Sequence, residues 1–84
     1  MIKVLFFARI REELDCPRLD VQWRGELADL ESLQGHLIAQ KGERWRKVLE
    51  QHNVIRAVNQ VVVEGNAALA DGDEVAFFPP VTGG

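Results

Sequence analysis

The two stretches that most limit the fold lie at opposite ends of the chain. "MIKVLFFAR" opens it, and "DEVAFF" (Asp73 to Phe78) runs almost to its close. In the first, Ile2, Val4, Phe6 and Ala8 alternate with Lys3, Leu5, Phe7 and Arg9, the period of two that defines a strand. In the second, Phe78 falls on the alternate face to Val75 and Phe77. Strands this apolar belong in the middle of a sheet, so the two ends of the chain are expected side by side. Whether they run parallel or antiparallel depends on the crossover, which periodicity does not decide.

The segment between them supplies the rest of one domain. "IREELDCP" reads as one helical turn ended by Pro17, because proline removes a donor and restricts the residue before it. "RLDVQW" is a second strand, with Leu19, Val21 and Trp23 against Asp20 and Gln22. Asp29 is then a helix N-cap, and Leu30, Leu33, Leu37 and Ile38 form an apolar stripe at helical spacing. Gly42 interrupts that pattern, and a second helical piece turns Trp45, Val48 and Leu49 to one side. "VIRAVNQVVVEGN" holds two short strands joined near Asn59-Gln60, with a turn at Glu64-Gly65-Asn66. Asp71-Gly72-Asp73 is a tight turn before the last strand. Two strands, helices, then further strands predict an α+β domain with helices packed on one face of a mixed sheet.

Composition removes several function classes. At 84 residues the chain forms one domain, able to bury roughly 60–65% of its unfolded surface. Its net charge is −3, whereas a nucleic-acid binder needs a basic stripe against phosphates. There is no apolar run long enough for a membrane span, and the N-terminal stretch alternates as a strand does rather than reading as a signal peptide. Cys16 is the single cysteine, so no internal disulfide forms, and a reducing, cytoplasmic location is expected. His36 and His52 have no ligand spacing with Cys16, so no metal site is expected.

The last eight residues, "FFPPVTGG", carry the chemistry. Pro79 and Pro80 end the strand and favour an extended course. The chain is accordingly divided into a folded body over residues 1–78 and an extended tail over 79–84. From Pro79 to Gly84 the tail reaches about 20 Å at roughly 3.3–3.6 Å per residue. Gly83 and Gly84 lack a Cβ and fit a channel too narrow for other residues. The reactive group at the tip is the α-carboxylate of Gly84, ionised at neutral pH and a poor electrophile until activated. No phosphate-cradling glycine loop, metal motif or Ser/His/Asp set elsewhere in the chain is suited to that activation. The tail therefore reads as a substrate for other enzymes.

With these residues in view, the chain resembles the small subunit of molybdopterin synthase, the ubiquitin-like sulfur carrier of molybdenum-cofactor synthesis. The resemblance rests on "MIKVLFFAR", on "AVNQ" (Ala57 to Gln60) and above all on "LADGDEVAFFPPVTGG" (Leu69 to Gly84). Thiamin-pathway sulfur carriers and ubiquitin share the Gly-Gly end, but the last of these runs resembles the molybdopterin branch. One departure is "LDCPRLD" (Leu14 to Asp20), where a glycine closing the first turn is expected. The resemblance implies a ubiquitin-like β-grasp fold with first and last strands parallel. It implies that a ubiquitin-activating-like partner uses ATP to adenylate Gly84, that a sulfur donor protein then yields a thiocarboxylate, and that no cofactor is held by this chain. It further implies docking on the synthase's large subunit, in an assembly of two small and two large subunits. There the tail would give sulfur to cyclic pyranopterin monophosphate.

The same alternation marks a docking face. If Ile2, Val4, Phe6 and Phe77 face the helices, then Phe7, Val62 and Phe78 form an outward apolar patch beside the tail, with Leu5 and Val62 weaker candidates than Phe7 and Phe78. Val62 is read as out of step with Val61 and Val63. Pro79, Pro80, Val81 and Thr82 complete the expected contact, and Arg9 and Arg11 flank it as possible partners for acidic groups. Two other readings compete: a modifier conjugated to target lysines through Gly84, and an adaptor whose tail has no role.

Overall fold

The crossover resolves in favour of parallel ends. In the computed structural model, which describes residues 1–80, β1 (Ile2–Phe6) and β5 (Glu74–Phe78) are adjacent and parallel, with Val4 opposite Val75 and Phe6 opposite Phe77. β2 (Arg18–Val21) lies antiparallel to β1 on the other side. β3 (Ile55–Val58) pairs antiparallel with β5, and β4 (Val61–Val63) forms a hairpin with β3. The sheet order is β2-β1-β5-β3-β4. Three helices, α1 (Ala8–Leu14), α2 (Leu30–Lys41) and α3 (Glu43–Leu49), provide the second layer.

The core lies between sheet and helices. Ile2, Val4, Phe6, Val75 and Phe77 are fully buried, as are Leu30, Leu33 and Leu37 from α2. Phe6 stacks on Phe77 at 5.6 Å between centroids and takes the edge of Trp45 at 5.3 Å, both favourable aromatic geometries. The expected stripe on α2 and the expected inward set on α3 are all buried. Asp29 caps α2 by accepting from the Ser32 amide at 2.8 Å, and Asn66 Oδ1 accepts from the Glu31 amide at 2.9 Å. Two of the helix's unsatisfied N–H groups thereby find partners.

Local shape departs from the sequence reading in three places. The first helix is longer than one turn: α1 spans seven residues and buries Ile10 and Leu14. It is closed by Asp15 at φ 52°, with the Cys16 amide donating to the Arg11 carbonyl and the Asp15 amide to that of Glu12. This is the glycine-type Schellman closure, formed here by an aspartate, one of the few other residues that tolerates a left-handed backbone. β2 stops at Val21, so Trp23 lies outside the strand, half-buried against the core. Val61 is 64% exposed, although its register places it on the helix side of the sheet. It sits at the sheet's outer edge, next to the Asn59-Gln60 turn.

A candidate docking face and tail exit

The site is the face of the sheet opposite the helices. Register fixes its members. Leu5 lies beside Ala76, Ala76 beside Ala57 and Ala57 beside Val62, a row that crosses four strands. Phe78 lies beside Ile55 one step nearer the tail. Ala57 and Ala76 are buried despite belonging to this face, because bulkier apolar neighbours flank them. Phe7 is 44% exposed and Val62 58%, while Leu5, Ile55 and Phe78 are half-buried. Of the polar residues on the same face, Lys3, Asp20 and Glu74 lie together at the end away from Phe78, while Arg18 stands at the sheet edge beside Leu5. An uncovered apolar surface rimmed by charge marks a partner site more often than a free surface.

The tail leaves from the apolar end of this face. The Phe7 amide donates to the Phe77 carbonyl at 3.1 Å, which carries the parallel ladder past the end of β1. The amides of Ile10 and Arg11 in turn donate to the Phe7 carbonyl. Phe7 is thus tied at once to the last strand and to α1, and its ring is left outward. Pro79 and Pro80 follow Phe78 directly and are half-buried. Val81, Thr82, Gly83 and Gly84, assigned to the tail from sequence, lie outside the described residues. Arg11 is exposed on α1 near Phe7. Arg9 is engaged within the domain instead: its guanidinium reaches Glu13 at 3.0 Å and Gln51 at 3.2 Å.

Two polar residues read from the sequence only as turn positions brace the strand that carries the tail. Asn59 Nδ2 donates to Asp73 Oδ1 at 3.0 Å, and Asn59 Oδ1 accepts from the Glu74 amide at 3.0 Å. The Asn59 amide also donates to the Glu74 carbonyl at 2.7 Å. Asp73 Oδ2 accepts from the Ala70 amide at 2.8 Å. The bond from Asn59, then that from Ala70, holds the Asp73 carboxyl below its usual value of 3.8. The Asp29 carboxyl is lowered likewise, chiefly by its bonds to Ser32. Asn59 stands inside "AVNQ" and Asp73 inside "DGDE", so the signal was present as motif and lacked only its pairing.

Among the described residues, no group of His, Cys, Asp and Glu side chains is placed to hold a metal ion, and no helix is long and apolar enough to cross a membrane. What the site offers is an apolar plane and a strand end, which suits recognition and delivery.

This architecture, a mixed five-stranded sheet with parallel terminal strands and helices on one side, defines a ubiquitin-like β-grasp protein. Residues 4–84 match the ThiS family. The chain is 48% identical over 84 residues, all of both chains, to the molybdopterin synthase sulfur carrier subunit of Escherichia coli K12. The chain belongs to the ThiS family, in the group of molybdopterin synthase sulfur carrier subunits. Among solved structures it resembles one from Helicobacter pylori, a complex of subunits 1 and 2 of molybdopterin-converting factor, at TM-score 0.65 and 27% identity, covering 99% of this chain and 97% of that one. It also resembles SAMP1 from Haloferax volcanii, at TM-score 0.74, covering 99% and 98% of the two chains. Identity there is 24%, so that likeness speaks to the fold alone.

Proposed function

We propose that this protein carries sulfur on its C-terminal glycine and delivers it while docked on the large subunit of molybdopterin synthase. A separate adenylating enzyme brings the Gly84 carboxylate to the α-phosphorus of ATP, releasing pyrophosphate and leaving an acyl adenylate. Hydrosulfide, released by a thiol reductant from a persulfide on a donor protein, then attacks the unhindered glycyl carbonyl and expels AMP. The resulting thiocarboxylate is an anionic, soft nucleophile at the end of a side-chain-free backbone. Delivered into the large subunit's active site, its sulfur bonds to cyclic pyranopterin monophosphate; water then hydrolyses the glycyl C–S bond, leaving the sulfur on the pterin and returning the carboxylate for another cycle. The work takes place in the cytoplasm. Catalytic side chains belong to the partners; this chain contributes positioning, which raises the effective concentration of the sulfur at the acceptor.

The observation that carries this reading is the continuity of the uncovered apolar face with the strand end from which the Gly-Gly tail departs, in a chain whose full-length relative is a sulfur carrier subunit. The complex in the Helicobacter pylori structure supports a large-subunit partner. Phe7, Val62 and Phe78 form the centre of the contact, with Arg11 at its rim and Pro79 to Thr82 leading into the partner. Aromatic residues at the centre of an interface carry much of its energy. Phe78→Ala is therefore expected to weaken large-subunit binding at least about tenfold in a calorimetric titration, with an unchanged circular dichroism spectrum. Unaltered affinity would remove the apolar face from the account.

A further inference from the structure

A second surface lies at the far edge of the sheet from the β3–β4 hairpin. β2 is an edge strand, and its free side adjoins a groove of about 380 Å³ lined by Leu19, Val21, Arg24, His36, Gln40 and Lys41. The ladder decides which backbone groups the edge presents. The Phe6 amide donates to the Pro17 carbonyl, so the antiparallel alternation turns the backbone of Leu19 and Val21 toward β1. The backbones of Arg18 and Asp20 are then turned outward. The outward carbonyl of Arg18 already accepts from the Cys16 thiol at 3.4 Å.

The groove's chemistry is one-sided. Leu19 and Val21 share the helix side of the sheet with Val4 and Ile2 and form an apolar floor. His36 and Gln40, one helical turn apart on α2, form the wall. Arg24 and Lys41 are exposed, and among the described residues neither pairs with a carboxylate, although Lys41 Nζ lies 5.4 Å from the centroid of the Trp45 ring. Asp20 is the acidic residue of the lining, but its side chain is on the opposite sheet face, beside Lys3, and is met by Arg18 at 3.4 Å. A local cationic excess in a chain of net charge −3 selects an acidic occupant.

We propose that this groove is a docking site for an extended, acidic–apolar peptide segment of a partner protein, which adds as a strand to the edge of β2. Main-chain hydrogen bonds to the Arg18 amide and to the Asp20 amide and carbonyl hold the segment, alternate apolar side chains enter toward Leu19 and Val21, and flanking carboxylates meet Arg24 and Lys41. Strand addition of this kind takes affinity from the backbone and specificity from alternate side chains. The apolar face below Phe78 is left uncovered, so both surfaces can be occupied together.

The test uses the full-length chain, 15N-labelled, titrated with the peptide Glu-Glu-Val-Ile-Val-Ile-Glu-Glu. Expected shifts fall on amides between Arg18 and Arg24 and on the His36–Lys41 turn, and amide exchange at Arg18 and Asp20 slows. Arg24→Glu should weaken binding about tenfold, Arg24→Lys should restore most of it, and added salt should weaken the native complex. A Lys-flanked version of the peptide should bind more weakly than the acidic one. Shifts centred on Phe7 and Phe78, equal affinity for the Lys-flanked peptide, or no saturation by about 1 mM, the weak end of specific binding, would each overturn the proposal. Arg24→Glu should also leave large-subunit affinity unchanged, which separates this surface from the tail-bearing face.

Discussion

Gln60 occupies a position that favours glycine. It follows Asn59 in the β3–β4 turn, with φ 69° after 50°, and two successive left-handed residues in a two-residue hairpin loop are the pattern for which Asn-Gly is preferred. The turn's location was legible from its flanking valines, but its handedness was not, because a glutamine gives no sign of positive φ. Asn59 tolerates the conformation; Gln60 retains the Cβ clash. Gln60→Gly is expected to raise stability by about 0.5–1 kcal/mol, after the added chain entropy of glycine is offset against the relieved strain. A urea midpoint that moves down instead would contradict this reading. Asp15 shows the same limitation, since the missing glycine was visible in "LDCPRLD" but the aspartate that replaces it was not readable as a left-handed cap.

Elements with a strong local period were read correctly, and those with a faint one were not. α2 was legible because its cap and stripe are local. α1 was underestimated, since two buried residues at Ile10 and Leu14 are a faint period. Within α2, Gly35 lies in the helix interior, and a Cβ built there meets nothing within 4 Å. Gly35→Ala should therefore stabilise the domain by about 1 kcal/mol, raising Tm by roughly 4–8 °C for a chain of this size; a lower Tm in a thermal scan would show an unseen constraint on that turn. The cap of α2 and the brace of β5 also set an acid limit. Asp29 and Asp73 have folded pKa values below 3.8, so their contribution is present above the unfolded value and is lost as pH falls through the folded one. The Tm difference between the native chain and Asp73→Ala, clear near neutral pH, should narrow progressively below about pH 4. A difference that stays constant to low pH would mean the carboxylate's charge contributes nothing.

At the scale of the whole molecule, the two chain ends meet in the middle of the sheet, and the consequence is functional. Parallel pairing of β1 with β5 puts Phe7 beside the end of the last strand, so the proposed docking surface adjoins the point where the chain leaves the sheet at Pro79. The helix layer covers one face only, which leaves Leu5, Val62 and Phe78 on the face without helices. Sequence alternation identified that face because each of its strands carries apolar residues on both sides. It gave no sign of the groove beside β2, whose character comes from residues far apart in the chain. The most direct measurement of the central claim is an intact mass of the protein after incubation with its adenylating enzyme, ATP and a sulfur donor. The account predicts exchange of one terminal oxygen for sulfur, abolished when one residue is added after Gly84. A mass that never changes while the Gly84 carboxylate is free would contradict it.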